Sequence, residues 1–390
     1  MKSFSDIAEH MEGKPTFKSA KKAKALESLG KRIIHFEIGD PEFATPPHII
    51  EAAYGAMKSG QTHYADSMGL PDLRKAIQTY NQASRGFKPN IDQVLVTPGA
   101  NIILYLAILS LVNPGEEVII PDPGFATFHQ IIKLCKAKTV RVPLREKNNF
   151  SMSAQDLEKA ITKKTRLIVV NSPSNPTGAI MQKQELDELY RVAEKHHVYL
   201  LLDEIYSRII NGQHAFYSPS ANDKCLHSCI VVNGFSKAFA MTGWRLGFAI
   251  GPKNVIEKMG MLGETLYSCV PPFIQYAGIA ALQGDQSKVN AMMAQDQKKR
   301  NLLIEGLNAI PRISCLKNEG AFYIFANIKK TGMSSQQFSD VMLKKAGVAL
   351  LPGTDFGKHG EGYVRIAYAA VNIDTIKKGL ANMEKALKNL

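Results

Sequence analysis

Long apolar runs, clustered cysteines and nucleic-acid-binding signatures are all missing from this sequence, and each absence closes a class of function. No stretch approaches the roughly 20 apolar residues that a bilayer-spanning helix needs, so no membrane partner is expected. The N-terminus lacks the apolar core of a secretory signal. Its lysine-rich segment, residues 14–24, follows Asp6, Glu9 and Glu12, which argues against a transit peptide. The five cysteines (Cys135, Cys225, Cys229, Cys269 and Cys315) are odd in number and widely spread. Only Cys225 and Cys229 lie close together, and no second Cys/His pair stands at metal-ligand spacing from them. Reduced thiols packed as small hydrophobes are the expected state, no metal is expected, and the cytoplasm is the expected location. No internal repeat or low-complexity tract is visible.

Positive charge is what the chain does have in excess: 48 Lys and Arg against 35 Asp and Glu, a net +13. The excess raises nucleic-acid binding as a reading, but the basic residues are interleaved with acids, as at Glu185, Asp187 and Glu188 near Arg191 and Lys195. Neither a helix-turn-helix, a zinc finger nor an aromatic RNA-binding motif accompanies them. A solvated basic surface that suits an anionic substrate and cofactor is the simpler account. With 45% hydrophobic residues in 390, the chain can bury a core large enough for two domains.

From about residue 91 the sequence repeats a strand, a loop and a helix. The β-branched runs 92–97, 117–121, 138–143, 166–171, 198–203 and 229–233 read as buried strands. Helices of roughly a dozen residues between strands imply βαβ units, hence an α/β fold with a mostly parallel sheet sandwiched by helices. Three strands end on polar residues, at Asn171 followed by 172–178, at Asp203, and at Asn233 followed by Lys237. Open α/β sheets bind ligands outside the carboxyl ends of their strands, which would set Asn175, Asp203 and Lys237 along one sheet edge. Pro98-Gly99-Ala100-Asn101 opens an apolar helix, and such a turn offers free N–H groups and a helix dipole to an anion. After Pro271-Pro272 the chain becomes helical and then mixes strands with helices, as expected of a smaller α+β C-terminal domain.

Lys237 follows one of these strands in Asn233-Gly-Phe-Ser236-Lys237, ahead of Gly243-Trp-Arg245-Leu-Gly247. A partly desolvated amine near a second cation has a lowered pKa and attacks a carbonyl carbon. A lone lysine on a loop is ordinarily a surface residue; what lifts this one is its company. Ser-Asn175-Pro-Thr-Gly, Asp203-Glu-Ile-Tyr206, Ser236-Lys237 with Gly243-Trp-Arg245-Leu-Gly247, and Tyr363-Val-Arg365 occur in that order. Each is weak by itself, but in this order they resemble the class I/II pyridoxal-phosphate-dependent aminotransferases of fold type I, the aspartate aminotransferase-like group above all. The resemblance runs from Gly39 to Arg365.

It implies a role for each residue. Lys237 would hold pyridoxal 5′-phosphate as a Schiff base and carry the proton between substrate and cofactor carbons. Asp203 would pair with the pyridine nitrogen, although alone it reads as a turn or helix-capping acid. Tyr206 and Asn175 would hydrogen-bond the phenolic oxygen, and Phe125 would cover the ring face. Gly99, Ala100 and Asn101 would cradle the phosphate with Ser236 and Arg245. Tyr64 would reach the phosphate of a neighbouring subunit, which implies a homodimer with shared sites. Arg365 would clamp the substrate α-carboxylate, assisted by Asn175 and the Gly39 backbone; alone it would be a surface strand arginine. The implied organisation is an arm and part of the small domain over 1–45, a large cofactor-binding domain over 46–285, and a small domain over 286–390.

Some positions depart from the group. Thr265-Leu-Tyr267-Ser-Cys269-Val holds no arginine, and Asn101 stands where one aspartate aminotransferase group has lysine, so these positions do not imply a dicarboxylate preference. Gly234 replaces a common serine, leaving Ser236 as hydroxyl donor. The expected activity is amino transfer between an L-amino acid and a 2-oxoacid. A lyase acting on C–S or C–C bonds is the alternative with the same cofactor. A transcription regulator with such a domain would need an added DNA-binding domain, and about forty residues precede Gly39, too few for one plus a linker.

Overall fold

Side chains along the buried strands alternate between two cores, and that alternation builds the sheet. The computed structural model describes residues 4–11, 13, 15–212, 215–317 and 319–388. The strands among them are β1 (Ile34–His35), β2 (Val94–Thr97), β3 (Glu117–Asp122), β4 (Lys138–Pro143), β5 (Thr165–Asn171), β6 (Tyr199–Asp203), β7 (Cys229–Gly234), β8 (Gly247–Ile250), β9 (Tyr323–Asn327), β10 (Val348–Ala349), β11 (Leu351–Pro352) and β12 (Tyr363–Ala367). Seven form the main sheet in the order β2-β8-β7-β6-β5-β3-β4. Along β5, Leu167 and Val169 share a core with Leu201, Val232 and Leu95. Ile168 and Val170 face the other way, with Leu202, Val231 and Val96. Helices Ala100–Leu111, Ala126–Leu134 and Lys253–Tyr267 cover the first face, and Pro47–Lys58, Pro71–Arg85, Lys183–Lys195 and Pro272–Gln283 the second. Burying each Leu, Ile or Val contributes about 1.5–3 kcal/mol, and with both faces covered the strands read as continuous apolar runs.

The sheet is mostly parallel, with one exception that the sequence reading did not contain. Strand β8 runs antiparallel to both neighbours, pairing Gly247 with Thr97 of β2 and with Gly234 of β7. This register draws the Pro98–Asn101 turn beside the loop that carries Lys237. A third core, apart from the two faces of the main sheet, is built from Phe36, Leu303, Ile324, Phe338, Val364 and Met383. It holds the antiparallel sheet β11-β12-β9, the parallel pair β1-β10, and helices Ser287–Ala309 and Ile373–Lys388. Among the described residues no helix is long and apolar enough to cross a membrane. The five cysteine thiols are free.

Candidate active site

A cavity of about 480 Å³ opens at the carboxyl ends of β5, β6 and β7. The β5–β6 register puts Asn171 beside Asp203, so the last residues of two parallel strands reach its floor together. Asn171 Nδ2 donates to the Asp203 carbonyl at 3.0 Å, and Asn171 Oδ1 accepts from the Asn175 amide at 2.8 Å. These bonds carry the 172–178 loop over the cavity, where Asn175 lines it.

Asp203 is buried, and burial pushes its carboxyl up to about 7; the Glu204 charge adds to the rise and a bond from the Ile205 amide opposes it. Glu204 turns the other way, to the buried Arg85 at 2.7 Å from Nε. A buried acid poised near neutrality is suited to hold a cation presented from the cavity. Ordinary capping acids are solvated and do not behave so.

Anion-binding groups converge on the opposite wall. Helix Ala100–Leu111 starts after Gly99 with no side-chain cap, leaving first-turn amides for a ligand. Gly99 has φ +88°, and a Cβ there would overlap the Arg245 guanidinium. A Cβ on Gly247 would stand 2.7 Å from Gly99 C and 2.8 Å from the Ala100 amide nitrogen. Glycine at both positions is thus what lets Arg245, the helix start and Ser236 meet. Arg245 NH1 donates to the Thr242 carbonyl at 2.7 Å, which aims the guanidinium. Phe125 forms part of the wall and meets Phe128 edge-on at 5.5 Å.

Lys237 Nζ donates to the Gly39 carbonyl at 2.7 Å and lies 5.5 Å from the Phe322 ring centroid. Arg365, on β12, is fully buried. NH1 donates to Asn175 Oδ1 at 3.2 Å, NH2 donates to the Glu37 carbonyl at 2.5 Å, and Nε has no hydrogen-bond partner among the described residues. Burial lowers its pKa, while nearby Tyr323, Tyr206 and acidic groups oppose the fall. A buried guanidinium with an unused donor costs free energy until an acceptor arrives. A carboxylate is the natural acceptor.

Segment 37–45 ties both sides of the cavity together. Its Glu37 and Gly39 carbonyls accept from Arg365 and Lys237, and Asp40 Oδ1 accepts from Thr242 at 2.8 Å. Glu42 meets the buried Lys299 at 2.7 Å, which also meets Asp296 at 3.1 Å. Thr45 Oγ1 donates to the Ala240 carbonyl at 2.6 Å and accepts from Trp244 Nε1 at 3.0 Å.

The sequence-predicted residues Gly39, Ala100, Asn101, Phe125, Asn175, Asp203, Tyr206, Ser236, Lys237, Arg245 and Arg365 all border this one cavity, with Gly99 just behind its wall. Tyr64 does not: it is 90% exposed on the surface of its own chain. Sequence reasoning missed Tyr323, whose hydroxyl is 2.8 Å from that of Tyr206. It also missed Phe17 and Thr16, which come to the mouth from helix Pro15–Glu27, and Ile38 beside them. The apolar run 320–325 suits a buried strand, but no local pattern says which strand Tyr323 would meet.

These residues fit pyridoxal phosphate on the chemistry of the donor set: a near-neutral buried acid, an uncapped helix start with an arginine, an aromatic wall and an amine. Comparison with known proteins agrees. The model of the family described as aminotransferase class I and II matches residues 31–382. An aspartate aminotransferase of Pyrococcus horikoshii is 40% identical over 378 residues, 95% of this chain and 93% of its own. Aromatic-amino-acid aminotransferase 2 of Thermococcus litoralis is 40% identical over 359 residues, 91% and 92% of the two chains. The crystal structure of the aspartate aminotransferase of Rhizobium meliloti superposes with a TM-score of 0.95 at 33% identity, covering 100% of this chain and 99% of that one.

Proposed function

Because the chain belongs to the class I and II aminotransferases, and is with them a pyridoxal-phosphate-dependent transferase of the aspartate aminotransferase-like kind, we propose how its own residues divide the work and what they act on. When bound, the cofactor supplies an electron-poor ring that makes the hydrogen on the substrate α-carbon removable as a proton. Asp203 would hold the proton of the ring nitrogen, in an ion pair strengthened by the low dielectric around it. The amides of Ala100 and Asn101, with Gly99, Ser236 and Arg245, would hold the phosphate. Tyr206 and Asn175 would bond the phenolic oxygen, and Phe125 would exclude water from the ring face. Lys237, whose amine lies on the cavity wall, would be the base that takes the proton from the substrate α-carbon. The Gly39 carbonyl holds that amine in place.

Arg365 carries the substrate reading. Its free Nε, buried on the cavity wall shared with Lys237, supports a bound α-carboxylate, and thus an α-amino acid and a 2-oxoacid as exchanged substrates. Aspartate is the first donor to try, since one similar protein is named an aspartate aminotransferase. Aromatic donors are the second reading, favoured by Phe17 and Ile38 at the mouth. The test is a panel of aspartate, phenylalanine, tyrosine and alanine against 2-oxoglutarate and pyruvate, with the Arg365→Lys variant beside it. Loss of the forked donor raises KM for every donor about tenfold or more, as one charge-assisted bond does. An unchanged KM refutes the clamp, and keto-acid and ammonia release without a new amino acid refutes amino transfer as the reaction.

Further proposals concern organisation. The separate core that joins Ile34 and Phe36 to the C-terminal strands and helices supports the division into 1–45, 46–285 and 286–390. Ile50, Tyr54 and Met57 on helix Pro47–Lys58, and Met261 and Leu266 on helix Lys253–Tyr267, are exposed apolar side chains, as is Tyr64; they support a homodimer in which Tyr64 reaches the partner's phosphate cradle. Sedimentation at twice the chain mass is the expected result. Free, mostly buried thiols support a cytoplasmic address.

A further inference from the structure

Two buried phenols meet beneath segment 37–45, and only one of them has been given a task. Tyr323 sits on β9, where it pairs with Ala367 of β12 while Arg365 pairs with Phe325. Residues offset by two on adjacent strands share a face, and the Arg365 guanidinium lies 4.5 Å from the Tyr323 ring centroid. The Tyr323 hydroxyl is 2.8 Å from that of Tyr206, with the two rings edge to face at 5.7 Å. It also packs directly against Gly39, whose carbonyl holds Lys237. One side chain thus touches the partners of the amine, of the phenolic oxygen and of the α-carboxylate.

We infer that Tyr323 is a positioning residue with two separable parts, a hydroxyl that orients Tyr206 and a ring that fixes Arg365. The inference rests on the proposed placement of the cofactor beside Tyr206. Burial raises both phenols above their ordinary range, although Arg365 and the Tyr206 bond pull Tyr323 the other way. Both hydroxyls are therefore protonated at neutral pH, and between them they hold two protons and one mutual bond. When Tyr323 donates to Tyr206, the Tyr206 proton is left to point at an anionic oxygen in the cavity. Chained bonds polarise one another, so the first hydroxyl strengthens the donation of the second. The ring acts differently: its electron-rich face holds the guanidinium by a cation–π contact, so Arg365 waits in one orientation with Nε open.

Three variants separate these parts: Tyr206→Phe as reference, Tyr323→Phe, which keeps the ring, and Tyr323→Leu, which keeps neither. Two readouts besides turnover apply to each holoenzyme: the pH midpoint of the bound cofactor's visible absorbance change, and the dissociation constants of maleate and 3-phenylpropionate. Removing a donor from an anionic oxygen makes that oxygen more basic, so the midpoint moves up. Tyr206→Phe shifts it most. Tyr323→Phe shifts it in the same direction, on the order of half a pH unit, and leaves carboxylate affinity unchanged. Tyr323→Leu gives the same shift and also weakens both carboxylates about tenfold. A midpoint unmoved in Tyr323→Phe but moved in Tyr206→Phe overturns the hydroxyl's part. Carboxylate affinity that survives Tyr323→Leu overturns the ring's part. A midpoint unmoved even in Tyr206→Phe overturns the cofactor placement itself, and the inference with it.

Discussion

Replacing Asp203 by asparagine should make the cofactor-free protein more stable at alkaline pH while destroying its activity. Burial pushes the carboxyl from the ordinary 3.8 up to about 7. An acid whose folded value is raised is bound by a proton in the native state after the unfolded chain has lost it. Stability therefore falls as pH rises from about 4 to about 7 and stays low above that. Three pH units correspond to roughly 4 kcal/mol. Over the accessible window from pH 5.5 to 8.5, about half of this, ~2 kcal/mol, is lost by the wild type and not by Asp203→Asn. Urea denaturation of both apoproteins at several pH values reads the difference directly, and other titrating groups cancel between them. Reconstitution should reverse the order, because the ring nitrogen of the cofactor brings the counter-charge that the carboxylate lacks. A wild-type-minus-variant difference that stays flat with pH, or an asparagine enzyme that keeps its kcat, would refute the reasoning.

Lys237→Ala should lose transamination by several orders of magnitude while still retaining cofactor through the phosphate cradle; equilibrium dialysis beside a turnover assay checks both. Gly247→Ala pushes a methyl group against the Gly99–Ala100 backbone and should cost about 1–3 kcal/mol. A rise in the cofactor dissociation constant accompanies the lower melting temperature, and unchanged cofactor binding would mean that the close approach does not shape the cradle. His35 bonds Glu37 at 2.7 Å and Glu27 at 3.0 Å. Burial pulls its pKa down, but the two carboxylates outweigh burial and the net movement is upward. Its contribution is fully present below pH 6.5 and disappears as pH rises through the raised value. His35→Gln should accordingly lose stability at pH 6 and little at pH 9, as thermal melts would record.

The parallel part of the sheet was legible because strands covered on both faces are unbroken apolar runs, and three of them, at 166–171, 198–203 and 229–233, run into residues that the cavity uses. Asn175, Asp203 and Lys237 could be placed on one edge for that reason. Strand β8 was not legible: Gly247–Ile250 is four residues long and starts inside a glycine-rich motif, so neither length nor period announces it. Helix Lys253–Tyr267 was missed beside it. Tyr323 depends on the offset between β9 and β12, which no local pattern encodes. Phe17 comes to the cavity from a lysine-rich helix whose own apolar stripe is weak. The family resemblance, by contrast, named eleven residues that border the cavity, because those groups must meet a shared chemistry wherever the chain brings them together.

The ribbon 37–45 has a mechanical consequence. One continuous piece of backbone lends a carbonyl to the amine and another to the guanidinium, and it is moored to Lys299 on one bank and to Thr242 and Ala240 on the other. A carboxylate that displaces the Glu37 carbonyl from Arg365 slackens the same tether that steadies Lys237 two residues along. Docking of the substrate and release of the reactive nitrogen are in that sense two ends of one rein.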